Sequence, residues 1–293
     1  MKVNQVITKK AKLINQTLEE LLPMEEAKPK KLSQAMRYSV LAGGKRLRPI
    51  LTLLVAKLIG EEEKKVLPAA CALEMIHNYS LIHDDLPCMD DDDYRRGQPT
   101  NHKVYGEAMA VLAGDSLLTL AFETISRINN IDQDKVLLAT QELAIAAGNQ
   151  GMVGGQAADI VAEGQKIDKE GLEYIHTHKT GALLRAAVRI GAILAGANKE
   201  ELAALTTYAQ KIGLAFQVVD DILDIEGDEE KLGKDVGSDL ERDKATFPAL
   251  YGLEEAKKMA QKLCQEAKEA IHIFGEEAKV LLELADYIIG RDY

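Results

Sequence analysis

Apolar residues recur along this chain at three- and four-residue intervals almost from end to end. No stretch alternates convincingly with the two-residue period of a half-buried strand. The pattern predicts helices over residues 3–22, 31–42, 46–60, 63–86, 103–127, 134–149, 151–163, 169–195, 199–225, 242–266 and 275–289. Breakers separate them: Pro23 and Pro29, Gly43-Gly44, Gly60, Pro87, Gly97 with Pro99, Asn129-Asn130, Gly164, Gly196, the stretch Gly227 to Gly237, and Gly275. Gly154, Gly155 and Gly191 fall inside helical pattern, where small residues permit close crossing of helices. Nothing resembles an interdomain linker or a low-complexity tail. The expectation is one all-α domain over residues 1–293, a large helical bundle.

Composition narrows the picture. Aromatic residues are only 4% of the chain, Trp is absent and there are 7 prolines, a balance that suits packed helices rather than a sandwich or barrel. The 46% apolar content supplies a sizeable core and excludes disorder. A formal net charge of −11 opposes general nucleic-acid binding, which needs a basic stripe. Basic residues nonetheless gather at Lys45, Arg46 and Arg48 and at Arg95 and Arg96, which suits a small anionic ligand. Cys71, Cys88 and Cys264 are odd in number and widely spaced, as in a reducing compartment. The Lys-rich amphipathic N-terminus lacks a secretory core. The most apolar stretch, residues 182–197, is interrupted by Arg185 and Arg189, so no run is expected to span a membrane and a cytoplasmic location is expected.

Two aspartate tracts carry the candidate chemistry. The first is Asp84-Asp85-Leu86-Pro87-Cys88-Met89-Asp90, continuing through Asp91, Asp92 and Asp93; the second is Asp220-Asp221-Ile222-Leu223-Asp224. Taken alone, an acidic run is most often a solvated loop or helix face. Here Leu81-Ile82-His83 leads into one tract and Phe216, Val218 and Val219 into the other, an apolar context unusual for such faces. Crowded carboxylates repel unless a cation intervenes. An EF-hand is excluded by its missing Asp/Asn alternation, Gly and Glu. Two facing oxygen clusters suit Mg²⁺, which binds one or two carboxylates and fills its shell with water and phosphate oxygens. That points to a diphosphate substrate.

Further motifs stand in a fixed order around the tracts. They are Gly43-Gly44-Lys45-Arg46-Leu47-Arg48-Pro49, His77-Asn78-Tyr79-Ser80, Arg95-Arg96-Gly97-Gln98-Pro99-Thr100, Ala113-Gly114-Asp115, Gly155-Gln156-Ala157-Ala158-Asp159, Lys179-Thr180-Gly181-Ala182-Leu183, Phe216-Gln217 before the second tract, Gly233-Lys234-Asp235 and Lys244-Ala245-Thr246. With them the chain resembles the trans-isoprenyl diphosphate synthases, most closely the bacterial farnesyl diphosphate synthases. The resemblance implies an all-α bundle around a central cavity, a homodimer, and Mg²⁺-dependent head-to-tail condensation. Isopentenyl diphosphate would join dimethylallyl or geranyl diphosphate, giving farnesyl diphosphate and free diphosphate.

The resemblance also implies roles. Asp84, Asp85 and Asp90 face Asp220, Asp221 and Asp224 as metal ligands, with Asp91 in support. Arg95 serves the allylic diphosphate; Lys45, Arg48, His77 and Arg96 serve the isopentenyl one. Lys179, Thr180 and Gln217 lie nearest the reacting carbons, and Lys234 and Lys244 contact diphosphate. Tyr79, with Ser80 beside it, sets product length at fifteen carbons. A geranylgeranyl or longer-chain synthase, a class I terpene cyclase and a non-catalytic synthase subunit are the alternatives. The cyclase is disfavoured by the aspartates of the second tract, and the subunit by the intactness of both.

Overall fold

The computed structural model describes residues 3–165, 167–226 and 246–290. The helices are α1 (Val3–Leu21), α2 (Lys30–Leu41), α3 (Leu47–Ile59), α4 (Glu63–Asp84), α5 (Asn101–Tyr105), α6 (Glu107–Ser126), α7 (Gln133–Ala147), α8 (Met152–Ala162), α9 (Lys169–Lys179), α10 (Gly181–Ala195), α11 (Lys199–Glu226), α12 (Phe247–Tyr251), α13 (Leu253–Ala270) and α14 (Lys279–Ile289). Among the described residues the only strands are β1 (Tyr94–Arg95) and β2 (Gln98–Pro99), paired antiparallel with Arg95 opposite Gln98. The all-α expectation holds.

Burial explains the layering. Helices α4 and α10 are apolar on nearly every side, as interior helices must be. Residues Ala69 to Leu73 of α4 and Ala186 to Val188 of α10 have no exposed surface. Helix α10 touches α3, α4, α7, α9 and α11, while α4 runs along α6 and α11 along α13. Helices α1, α13 and α14 bury one stripe each and form an outer layer. Both aspartate tracts therefore sit at the C-terminal ends of helices, α4 and α11, that pack on the same buried helix. A helix C-terminus carries partial negative charge, and aspartates there deepen an attraction for cations.

Several boundaries differ from the periodicity. The helix expected over 103–127 breaks at Gly106, whose φ of 87° and ψ of 154° no helix accommodates. The helix expected over 169–195 breaks at Thr180, between α9 and α10. Residues 242–266 yield the single turn α12 and then α13, while 242–245 lie outside the described residues. Before α14 the chain forms a 3-10 stretch, His272–Ala278, with Gly275 in a non-helical conformation. Gly155 and Gly191 do serve close crossings: a Cβ on Gly155 would lie 2.1 Å from the Lys179 backbone nitrogen, and one on Gly191 2.5 Å from the Thr52 carbonyl oxygen. Gly154 does not, since its neighbour is Asn149 of its own chain segment.

One expectation is corrected. Helix α6, at 20 residues, is long and apolar enough on length and composition to cross a membrane, with only 39% of its apolar window buried. Asp115, Ser116 and Thr119 interrupt its apolar residues and mask this in a residue-by-residue scan. Its Ala113, Gly114, Leu117 and Ala121 face is buried in the bundle. Val111 and Leu112 are exposed, as are Leu137, Leu138 and Ile145 of α7 and Val153, Ile160 and Val161 of α8.

Candidate active site

The first tract folds back on itself. Helix α4 ends at Asp84, and the amide of Asp90 donates to the Asp84 carbonyl at 2.8 Å, so the Asp84 and Asp90 backbones close a tight loop. Leu86, Pro87, Cys88 and Met89, which separate Asp85 from Asp90, are thus taken up in this loop. Asp85 is buried and accepts from Arg95 Nε at 2.6 Å, and Arg95 reaches Asp92 as well. Burial outweighs the Arg95 charge and raises the Asp85 carboxyl to about 6. The β1–β2 turn then presents Arg96 and Gly97, both at positive φ (53° and 73°), the backbone a two-residue hairpin of this twist requires. Arg96 is a costly residue for that conformation and is held there: its guanidinium donates to the Gly43 carbonyl and rests on Gly44, where a Cβ would come within 2.8 Å of Cζ.

The glycine turn gives the cations their direction. Gly43, Gly44 and Arg46 all have positive φ, and Arg46 buries its side chain against Glu74 rather than joining the site. That leaves Lys45 exposed and places Arg48 in the first turn of α3, where the helix dipole also favours anions. Arg48 Nε is buried with no hydrogen-bond partner, and the charges of Glu74 and Asp220 act on its guanidinium. His77, half-buried on α4, is held neutral: burial first, then Arg48, Arg96, Arg95 and Arg46, push its pKa well below the usual value. Guanidiniums crowding a neutral imidazole inside an acidic protein make a nest for an oxyanion. The orphaned Arg48 nitrogen is what a bound diphosphate would satisfy.

The second tract closes the site from α11. Asp220 is half-buried and within electrostatic reach of Arg48, while Asp221 and Asp224 are buried. Asp221 Oδ2 accepts from the Phe247 amide at 2.9 Å, so this carboxylate also anchors α12. Lys179, at the end of α9, donates to Asp159 Oδ2 at 2.6 Å. Burial depresses its pKa, but Asp159, Asp84 and Asp90 outweigh that and raise it. Lys179 thus feels the first tract while lining a 130 Å³ cavity with Thr180, Gln217 and Asp221 of the second. His176 lines it too, bonded through Nδ1 to Gln217 Nε2 at 3.1 Å. Burial, opposed by Asp159, brings His176 down to about 4, so its 3.6 Å approach to Asp221 is that of a neutral ring and not an ion pair.

Among the described residues, no three carboxylate, imidazole or thiol groups converge into a protein-only metal cage. The donors are all carboxylate oxygens on two separated helix ends. They fit a hard ion that completes its shell with phosphate oxygens, not one held by the protein alone. Tyr79 is buried on α4, edge-on to His83 at 5.7 Å between ring centroids. Burial, with Asp84 adding its charge, raises the phenol to about 12. Ser80 bonds back to the His77 carbonyl. Lys234 and Lys244 lie outside the described residues.

Three groups escaped the sequence reading as functional: Asp159, His176 and the Arg46–Glu74 pair. Asp159 closes one of the recognised motifs, a signal that was present without a role. Arg46 likewise stands in a quoted motif, as one of its cations, whereas His176 and Glu74 are ordinary helix residues in one dimension.

A family model described as polyprenyl synthetase matches residues 29–281. The chain is 52% identical to a farnesyl diphosphate synthase of Bacillus subtilis (strain 168), over 90% of each chain. It is 49% identical to a geranylgeranyl diphosphate synthase of Cyanophora paradoxa, over 96% of this chain and 93% of the relative. Among solved structures it resembles an FPP/GFPP synthase from Zymomonas mobilis, with TM-score 0.88 and 41% identity over 98% of this chain and 99% of that one. A geranylgeranyl pyrophosphate synthetase from Pyrococcus horikoshii gives TM-score 0.89 at 33% identity, over 99% of this chain and 98% of that one. With its ordered motifs and its helical bundle, the chain belongs to the polyprenyl synthetase family, the trans-isoprenyl diphosphate synthases, and is a prenyltransferase.

Proposed function

We propose that this chain is a farnesyl diphosphate synthase, condensing isopentenyl diphosphate with dimethylallyl and then geranyl diphosphate. Relatives named for fifteen- and twenty-carbon products share about half its residues, so overall identity does not separate them. The observation that carries the fifteen-carbon reading is Tyr79, a bulky ring buried beside Asp84 on the helix that presents the first tract. A chain growing from a diphosphate at that tract and passing down α4 meets this ring. Geranylgeranyl diphosphate remains the second reading, favoured by relatives bearing that name.

Asp84, Asp90 and Asp220, with Asp85, Asp221 and Asp224 behind them, would hold Mg²⁺. When bound, the metal supplies Lewis-acid neutralisation of the leaving diphosphate. Arg95 and Lys179 add positive charge on the allylic side. Lys45, Arg48, Arg96 and neutral His77 bind isopentenyl diphosphate, with Lys234 and Lys244 as further diphosphate partners. The allylic C–O bond ionises as charge moves onto the diphosphate, and the Thr180 and Gln217 oxygens face the cation so formed. The isopentenyl double bond attacks, a proton leaves to the released diphosphate, and exclusion of water by the closed bundle prevents quenching.

The exposed apolar face of α6, α7 and α8 suits a second copy of this chain, and we place a homodimer there, in a cytoplasmic protein. Incubation with isopentenyl diphosphate, each allylic primer and Mg²⁺, followed by chromatography of dephosphorylated products, tests the reading. Farnesol as the main product supports it. Geranylgeraniol from the unmodified protein overturns it in favour of the second reading. Y79A should shift products to twenty carbons or more; an active Y79A still stopping at fifteen removes Tyr79 as the floor.

A further inference from the structure

The Ala113-Gly114-Asp115 motif has no part in the chemistry above, yet Gly114 of α6 is buried against the end of α4. A Cβ on Gly114 would lie 2.1 Å from His83 Nε2, 2.5 Å from Cδ2 and 2.8 Å from Cε1. The missing side chain is therefore the slot into which the His83 ring fits, with Nε2 3.1 Å from the Val111 carbonyl oxygen. The ring's other neighbour is Tyr79, about one turn earlier on the same face of α4. The two rings meet edge-on, with centroids 5.7 Å apart and planes inclined by 76°. Tyr79 has no polar tether of its own: among the described residues its hydroxyl makes no hydrogen bond. A ring held by contacts alone stays in place only while its neighbours deny it room to turn.

We propose that His83, seated in the Gly114 slot, is a positioning residue for product length that holds Tyr79 across the path of the growing chain. This rests on the reading of Tyr79 as the floor stated above. The bulk of the imidazole does this, not its proton. While the ring fills the slot, the phenol cannot swing about its Cα–Cβ bond toward α6. With the ring gone, or the slot filled by a methyl, that space opens and the phenol turns aside. A fifteen-carbon allylic diphosphate then accepts one more isopentenyl unit by the same condensation, releasing diphosphate and a proton, before it leaves. Gly114 thus acts on product length through two side chains, without touching substrate.

Product ratios from geranyl diphosphate, isopentenyl diphosphate and Mg²⁺ test it, read by chromatography after dephosphorylation. The variants are H83A, G114A, G114A/H83A, Y79A and Y79A/H83A, with thermal unfolding of each as a fold check. H83A removes the ring and should raise the ratio of twenty- to fifteen-carbon product about 3- to 10-fold, the worth of one edge-to-face ring contact. G114A should expel the ring to the same effect, and G114A/H83A should match H83A, because with the ring gone the methyl has room. A loss of packing alone would lower Tm and rate and leave the ratio where it was. Y79A should raise the ratio further, and adding H83A to it should change nothing, since His83 acts through Tyr79. An unchanged ratio in folded H83A beside a raised one in Y79A overturns the proposal, as does a further rise in Y79A/H83A. Should H83A not fold, G114A decides in the same way. An unchanged ratio in active Y79A refutes the floor itself, and its support with it.

Discussion

Replacing Glu74 by Leu tests how the cationic nest is built. Arg46 Nη1 and Glu74 Oε1 lie 2.6 Å apart with side chains 0% and 2% exposed, so neither charge has water to fall back on. Arg46 also donates to Asn15 Oδ1 at 2.8 Å and to the Val40 carbonyl, and Asn78 supports Glu74. Removing the carboxylate strands a buried guanidinium, which costs about 3–5 kcal/mol. The two surviving acceptors place E74L near the lower figure. Unfolding entropy of about 2.1 cal/mol/K per residue over 293 residues comes to about 0.6 kcal/mol/K, so calorimetry should show Tm lower by about 5 °C. Arg46 anchors the turn between Lys45 and Arg48, so the KM for isopentenyl diphosphate should rise as well. The double variant R46M/E74L removes both charges and should regain most of the stability. E74L melting within about 1 °C of the parent would show that the pair contributes little, and the argument for an anchored turn would fail.

Further outcomes follow from the same geometry. D84A and D220A should each slow kcat by an amount equivalent to more than about 3 kcal/mol in the barrier while D93A, at the exposed end of the run, changes little; near-normal turnover of D84A at saturating Mg²⁺ would refute the assignment. R48A should raise the KM for isopentenyl diphosphate far more than that for the allylic partner, and equal weakening would show the pockets are assigned wrongly. G155A puts a methyl against the Lys179 backbone, so it should cost about 1–3 kcal/mol by overpacking and lower kcat with Tm; a silent substitution would contradict the close crossing of α8 and α9. Burial holds His176 near 4 in the fold against about 6.5 unfolded, so its contribution is complete above pH 6.5 and is lost as pH falls toward 4, by about 2 kcal/mol between pH 7 and 5. Denaturant titrations of the parent and H176N should therefore converge by that amount over this window, and parallel curves would mean the buried ring is not depressed.

The helices were legible because burial leaves a periodic trace. Helix α4 shows the limit of that trace: its apolar residues cover nearly the whole surface, so length and flanking breakers, not amphipathicity, revealed it. The break at Thr180 was not legible, because it arises where α8 and α11 press on one point. Gly155 of α8 fits against Lys179, and a Cβ on Gly213 of α11 would lie 3.4 Å from the Gly181 Cα. Such pressure comes from partners distant in sequence, and within 178–182 only Gly181 hints at it. The short β1–β2 hairpin likewise depends on Arg96 holding a positive φ that its side-chain chemistry disfavours.

The candidate site was legible where chemistry is written in residue type, and obscure where it is written in orientation. Acidic tracts and basic nests announce themselves by composition, and their convergence follows once α4 and α11 pack on α10. What composition does not convey is how a carboxylate divides its oxygens. Asp221 belongs to the ligand tract, yet its Oδ2 holds the Phe247 amide and faces His176. Asp220, one position earlier and half-buried, feels Arg48 instead. Neighbours on a helix differ by about 100° in direction, so an Asp-Asp pair splits between two settings: one residue stays half-buried, where the proposed diphosphate would lie, and the next ties the helix to its surroundings. Asp84 and Asp85 divide in the same way, with Asp85 buried against Arg95. Each tract thus pairs an outward oxygen donor with an inward anchor. The anchor also limits how far the outward carboxylate can relax when two negative ends of helices confront one another without an intervening cation.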